Sequence, residues 1–159
     1  MSNSNGIKTS PISDQVVTLT PTTLIRTARL TLKTPETEDA PGIVRAIDDW
    51  ELVRWLSRVP YPYREQDAAS FIINSKQCLD DRTAYRFLVI FEDEVAGCVG
   101  LDSHEAKNFE LGYWIARKCW GLGIGTEAVE AIIQFAFNNL RETQIKASCQ
   151  YNNIASANI

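Results

Sequence analysis

A mixed α/β domain is the fold class this sequence predicts: antiparallel strands in the first part, then a parallel pair around a glycine-rich loop. Three observations carry that expectation. The 159 residues are 45% apolar and 23% charged, enough core material for one folded domain and too little chain for a second catalytic module. Hydrophobic spacing changes from helical in the first half to β-favouring runs in the middle. An apolar strand, a loop with three glycines and a strongly periodic helix then follow one another between 109 and 140. A short alternating segment comes after them, which is the order of a crossover between parallel strands.

The elements follow in order. Residues 1–24 are rich in Ser, Thr, Asn and Pro and are expected to form a flexible N-terminal arm, with the folded domain spanning 25–159. Leu30 and Leu32 alternate with Thr31 and Lys33 as a first strand that Pro35 ends. Thr37 and Asp39 precede Ile43, Val44 and Ile47 as a helix start with acids at the positive end of the dipole. Trp50, Leu52, Val53, Trp55 and Leu56 make a second short helical patch. Val59-Pro60-Tyr61-Pro62-Tyr63 breaks it, because two prolines forbid regular helix. A longer helix is expected over 65–79, with apolar residues at Ala68, Ala69, Phe71, Ile72 and Leu79.

A hairpin comes next: strands over 87–91 and 95–101, turning at Glu92-Asp93-Glu94. His104 is expected in a loop. In the strand over 109–115, Phe109, Leu111, Tyr113 and Ile115 share one face, and Glu110, Gly112 and Trp114 share the other. The helix after the glycine loop carries Val129, Ile132, Ile133, Ala136 and Leu140 on one stripe. Ile145, Ala147 and Cys149 alternate as a last strand, expected to run parallel to the strand over 109–115.

Charge and cysteine usage narrow the function. The formal charge is 16 − 20 = −4 with no block of one sign, so neither nucleic acid nor an anionic membrane surface is expected as a partner. No signal segment and no apolar run of about 18 residues is present, which points to a cytoplasmic protein. Cys78, Cys98, Cys119 and Cys149 form no Cys-x-x-Cys pair, and His104 is the single histidine. No metal site is expected, and the thiols are expected reduced.

The chemistry is concentrated in Trp120-Gly121-Leu122-Gly123-Ile124-Gly125-Thr126-Glu127. Glycines at alternate positions before a helix let backbone N–H groups converge on an oxyanion; the dipole and the Thr126 hydroxyl add to the attraction, so a phosphate or pyrophosphate fits. A tight turn with glycines chosen for close packing is the alternative. A Walker loop would need Lys and then Ser or Thr after the last glycine, where Thr126 and Glu127 stand. A dinucleotide fold would need several βα units beyond the 34 residues that follow Gly125.

Glu110-Leu111-Gly112-Tyr113-Trp114-Ile115-Ala116-Arg117 together with the loop resembles the acetyl-coenzyme A (acetyl-CoA) segment of the GNAT N-acetyltransferases. The similarity is strongest to the branch containing the ribosomal-protein N-terminal acetyltransferases RimJ and RimL. Thr27-Ala28-Arg29-Leu30-Thr31-Leu32, Val59-Pro60-Tyr61-Pro62-Tyr63 and Asn153-Ile154-Ala155-Ser156 match as well, so the resemblance covers 25–159. The family's loop opens with Gln or Arg where Trp120 stands, which leaves Arg117 or Lys118 to meet the phosphates, or the backbone alone. Related chains continue past Asn-x-x-Ser with more helix and further strands, so the C-terminal part is expected to be incomplete.

The resemblance implies the GNAT fold, acetyl-CoA as cosubstrate and a primary-amine acceptor, either a protein N-terminus or a small molecule, in a monomer or homodimer. It implies that Gly121, Gly123 and Gly125 hold the pyrophosphate with Thr126, and that pantetheine pairs with backbone near Trp114, Ile115 and Arg117. It implies further that Asn153 holds a coenzyme amide and that Ser156 meets the departing thiolate. Glu110 is the expected base; its apolar strand disfavours the charged carboxylate and raises its pKa. Each residue has a structural alternative. Glu110 fits a solvated or salt-bridged edge, and Asn153 and Ser156 fit a helix cap. Trp50, Trp55, Tyr61 and Tyr63 fit either an acceptor wall or packing, and Cys119 fits a small packed side chain better than a reactive thiol. The alternative function is a catalytically silent acetyl-CoA-binding protein of the same family.

Overall fold

The computed structural model describes residues 23–105, 108–150 and 152–158. Six strands form one sheet in the order β1 (Leu24–Arg26), β2 (Thr31–Lys33), β3 (Ala84–Phe91), β4 (Glu94–Glu105), β5 (Asn108–Ile115) and β6 (Ile145–Ala147). Every neighbouring pair is antiparallel except β5 and β6, which run parallel. Helices α1 (Ala40–Ile47), α2 (Trp50–Val53) and α3 (Glu65–Asp80) connect β2 to β3, α4 (Ile124–Asn138) connects β5 to β6, and α5 (Ile154–Ala157) follows. This is the mixed sheet with one parallel pair that the sequence predicts.

Alternation along the strands sorts the core into two layers. Leu32, Phe87, Val89, Val99, Leu101, Phe109 and Ile115 meet the buried stripe of α4, formed by Ile124, Ala128, Ile132, Phe135 and Ala136. Leu88 and Cys98 point the other way, onto Ile43, Ile47, Leu52, Val53, Tyr63, Ala68 and Ile72 of the first helices and their connections, with Trp114 packed at the margin. Local chemistry starts each element. Asp67 accepts the Arg64 N–H at 2.8 Å at the head of α3, and Asp39 does the same for Glu36 ahead of α1. The β3–β4 hairpin turns on Glu92 and Asp93, with φ of 50° and 62°, the left-handed pair a two-residue turn needs.

Three expectations are corrected. Thr23, expected in the N-terminal arm, is 2% exposed, and β1 starts at Leu24. Residues 23 and 24 of the expected arm therefore belong with the sheet, which the sequence did not show because a three-residue edge strand has no alternation to read; residues 1–22 lie outside the described residues. His104 falls within β4 and not in a loop, since that strand runs on past Leu101 through a bulge between Ser103 and Glu105. Cys149 lies past the end of β6, exposed and free.

Candidate active site

Strands β5 and β6 stay paired over three residues only, Phe109 with Ile145, Glu110 with Lys146 and Leu111 with Ala147. Beyond Leu111, β5 continues to Ile115 with no strand on that side among the described residues, so an edge opens next to the start of α4. Backbone parity decides which groups line it. The Ala116 N–H donates to the Ala96 carbonyl at 2.8 Å, which makes Gly97 and Ile115 a non-hydrogen-bonded pair and turns the N–H and C=O of Trp114 onto β4. The main chains of Tyr113 and Ile115 face the open side. This corrects the expectation for Trp114: its backbone serves the sheet, and Tyr113 takes its place on the edge. Trp120 reaches the same edge, its indole Nε1–H donating to the Ile115 carbonyl at 2.7 Å.

The glycine loop adopts the geometry an anion cradle requires. Gly121 and Gly123 both have φ of 75°, a conformation in which a side chain is strained. The Leu122 carbonyl accepts from Arg29 Nη1 at 2.8 Å, and the Gly123 carbonyl accepts the Glu127 N–H at 3.1 Å. In a trans peptide the N–H points opposite to the C=O. With these carbonyls engaged by Arg29 and by the helix, the N–H of the exposed Gly123 turns outward; those of Ile124, Gly125 and Thr126 precede the first helical bond, with Thr126 exposed and Ile124 and Gly125 buried. Of the three expected glycines, Gly121 and Gly123 are exposed, while Gly125 lies buried within the first turn of α4 beside the fully buried Ile124.

A clasp missed by the sequence reading holds this loop. Glu127 Oε1 accepts from Thr27 Oγ1 at 2.6 Å and from the Arg29 N–H at 2.9 Å, while Oε2 pairs with Arg29 Nε at 2.7 Å. Burial would raise the Glu127 pKa, but these donors outweigh it and hold the carboxyl below its ordinary value. The cation beside the loop is therefore Arg29. Arg117 lies 3.6 Å from Asp49, and Lys118 pairs with Glu94, so both expected phosphate cations are turned toward acids. A Thr-x-Arg segment before the first strand and an acid in the first turn of the loop helix was the signal available in the sequence. A lowered carboxyl pKa stabilises the fold fully above the ordinary value of 4.5 and loses that contribution as pH falls through the folded value. Glu127→Gln is accordingly expected to lower the melting temperature at pH 7, with the gap to the parent closing below pH 4.5; a gap independent of pH would refute the clasp.

Glu110 and Ser156 sit on opposite faces of β5. Glu110 is partly exposed on the α1–α3 side and accepts a hydrogen bond from Ser148 Oγ. It is a carboxylate within reach of water, and not one sealed among apolar side chains as its strand neighbours suggested. Next to it, Gly112 is exposed with nothing within 4 Å of where a Cβ would stand. Gln150 Nε2 donates to the Trp55 carbonyl at 3.2 Å, tying the chain after β6 to the loop after α2 on this same side. On the α4 face, Tyr113 Oη donates to Ser156 Oγ at 2.8 Å, a pairing that no spacing in the sequence announces. Asn153 Oδ1 accepts the Ser156 N–H at 3.2 Å, so Asn153 caps α5.

The aromatic residues divide. Tyr63 is buried in the core, and Trp50 and Tyr61 are about half exposed, their rings in tilted contact with centroids 5.4 Å apart. Cys119 is buried, and burial pushes its thiol pKa up, as suits a packed side chain. Among the described residues, no group of three or more His, Cys, Asp or Glu is placed to hold a metal ion, and no helix is long and apolar enough to cross a membrane.

The sequence matches the family model described as an acetyltransferase (GNAT) domain over residues 29–159. It is 31% identical over 134 residues to the uncharacterized N-acetyltransferase p20 of Bacillus licheniformis, covering 82% of this chain and 75% of that protein. Among solved structures it is similar to a Vibrio cholerae protein assigned as a ribosomal-protein-serine acetyltransferase, with a TM-score of 0.75, 28% identity, and 88% and 81% of the two chains covered. RimL, solved with coenzyme A, shares the fold with a TM-score of 0.76 at 18% identity, over 85% and 79% of the chains. The splayed parallel pair, the amide cradle at the head of α4 and this family match agree: the chain belongs to the GNAT acetyltransferases.

Proposed function

We propose that this protein transfers the acetyl group of acetyl-CoA to a primary amine, a protein N-terminus or a small amine, by direct attack on the thioester. The observation that carries the reading is the parting of β5 and β6 after Leu111 and Ala147 next to outward-facing amides at the start of α4. The two features are the shape of a pantetheine chain ending in a diphosphate. The N–H groups of the exposed Gly123 and Thr126, with the positive end of the helix behind them, suit the pyrophosphate. Gly121, at φ of 75°, shapes the approach. The Tyr113 and Ile115 main chain offers an edge to which an amide-bearing arm adds like a strand. The Trp120 indole, already on the Ile115 carbonyl, sets the loop against that edge. The amide nitrogen of Asn153 stands outside its cap bond and suits a carbonyl of the arm.

Glu110 acts as base toward the amine on the α1–α3 side. Deprotonating an α-amino group of pKa about 8 costs about 1.4 kcal/mol at pH 7, against about 4–5 kcal/mol for a lysine amine, so a base helps in either case. Ser156, on the α4 face, donates to the sulfur as the C–S bond breaks. RimL is named as acting on a ribosomal protein and the Vibrio protein on a ribosomal-protein serine; a protein N-terminus is the acceptor these relatives favour. Calorimetric titration with acetyl-CoA, followed by thiol release in the presence of N-terminal peptides and small amines, tests the proposal. Saturable binding with acceptor-dependent release is the expected result. Binding without release would select the silent acetyl-CoA-binding alternative, and no binding would remove both.

A further inference from the structure

The contact between Tyr113 and Ser156 spans 43 residues of sequence and joins β5 to α5 across the open edge. Tyr113 Oη donates to Ser156 Oγ at 2.8 Å and lies 3.5 Å from the Ser156 carbonyl, while the cap from Asn153 fixes the Ser156 backbone. A serine hydroxyl has one hydrogen and two lone pairs. With one lone pair taken by the phenol, the serine hydrogen is directed elsewhere, and the chain of two hydroxyls polarises it into a stronger donor. We infer that Tyr113 is a positioning residue for the leaving group: its phenol orders the Ser156 hydroxyl so that Ser156 donates to the departing sulfur. This rests on the acetyl-transfer reading above.

The chemistry sets what the pair does. In the transfer the amine nitrogen bonds to the acetyl carbon, the C–S bond breaks, its electron pair leaves on sulfur as a thiolate, and the amine proton passes to Glu110 or water. A thiol pKa of about 8.5 lies below a phenol pKa of about 10, so moving a proton from tyrosine to the thiolate is uphill. Burial pushes the Tyr113 phenol higher still, with the Ser156 contact working in the opposite direction. The pair therefore supplies a hydrogen bond and keeps its own protons, and the thiolate takes its proton from water after release.

Tyr113→Phe removes the hydroxyl and keeps the ring, which is partly buried against the α4-side core. It is expected to lower kcat by about 3- to 10-fold with the KM for acetyl-CoA unchanged, and Ser156→Ala by about 10- to 100-fold. The deciding measurement is the double variant. If Tyr113 acts through Ser156, Tyr113→Phe has no further effect in the Ser156→Ala background, and thermal melts of the single variants stay near the parent. An equal kcat loss in both backgrounds, a loss confined to KM, or no loss at all would overturn the positioning role while leaving the acetyl-transfer reading intact. A parent chain that binds acetyl-CoA but releases no thiol to any acceptor would sink that reading, and this role with it.

Discussion

Glu110→Gln is expected to reduce kcat for acetyl transfer by about 100-fold or more, the usual contribution of a positioned base, while the affinity for acetyl-CoA stays within about twofold. The substitution keeps the size of the side chain and an acceptor oxygen for Ser148 Oγ, so the local structure survives. It removes only the ability to take a proton. The amides proposed for the diphosphate lie at the head of α4, on the far side of the open edge from Glu110, which is why binding and rate separate. The loss should be larger with a lysine-like amine than with an α-amino group, since the former demands more deprotonation. Steady-state rates on both acceptors with calorimetric binding check this, and a rate within twofold of the parent would remove Glu110 from the mechanism.

Gly97→Ala is expected to be the most disruptive single-methyl change in the sheet. A Cβ there would lie 2.3 Å from the Trp114 carbonyl oxygen and 3.1 Å from the Ile115 Cα, both backbone atoms that cannot rotate away. The cause is the non-hydrogen-bonded pairing of Gly97 with Ile115, in which two strands approach most closely. Relief requires pushing β5 off β4, at a cost of about 3 kcal/mol or more. The displaced segment carries the Tyr113 and Ile115 edge, so acetyl-CoA affinity should fall along with stability. Gly112→Ala is the control: its added methyl meets nothing within 4 Å, and denaturant unfolding should barely move. Equal stability of the two variants would contradict the packing described.

Much of the fold was legible in one dimension because it rests on short-range periodicity. The helix over 65–79 and the α4 stripe appear where apolar spacing of three to four residues predicts them. The β3–β4 hairpin appears where two β-favouring runs flank an acidic turn. β1 was not legible: three residues whose middle member alone is partly buried carry no pattern, and only pairing with β2 makes them a strand.

The site divides in the same way. Glycine at 121 and 123 is a requirement of local backbone geometry, φ of 75°, and so is visible in the letters themselves, as is the acid placed within an apolar strand. Which amides and carbonyls face the gap was not visible, because it depends on the hydrogen-bond parity of β4 against β5; a shift of one residue exchanges Trp114 for Tyr113. Nor were the cations: Arg117 and Lys118 stand nearest the loop in sequence, yet Asp49 and Glu94 pair with them, and Arg29, 93 and 98 residues away, closes on Leu122 and Glu127. By itself the sequence determined the family, the glycine loop and the acid on β5, because each is specified by neighbours along the chain. The tertiary structure alone decided the Arg29–Glu127 clasp, the Tyr113–Ser156 pair and the open edge, because contacts between distant residues depend on how strands register and where two of them part.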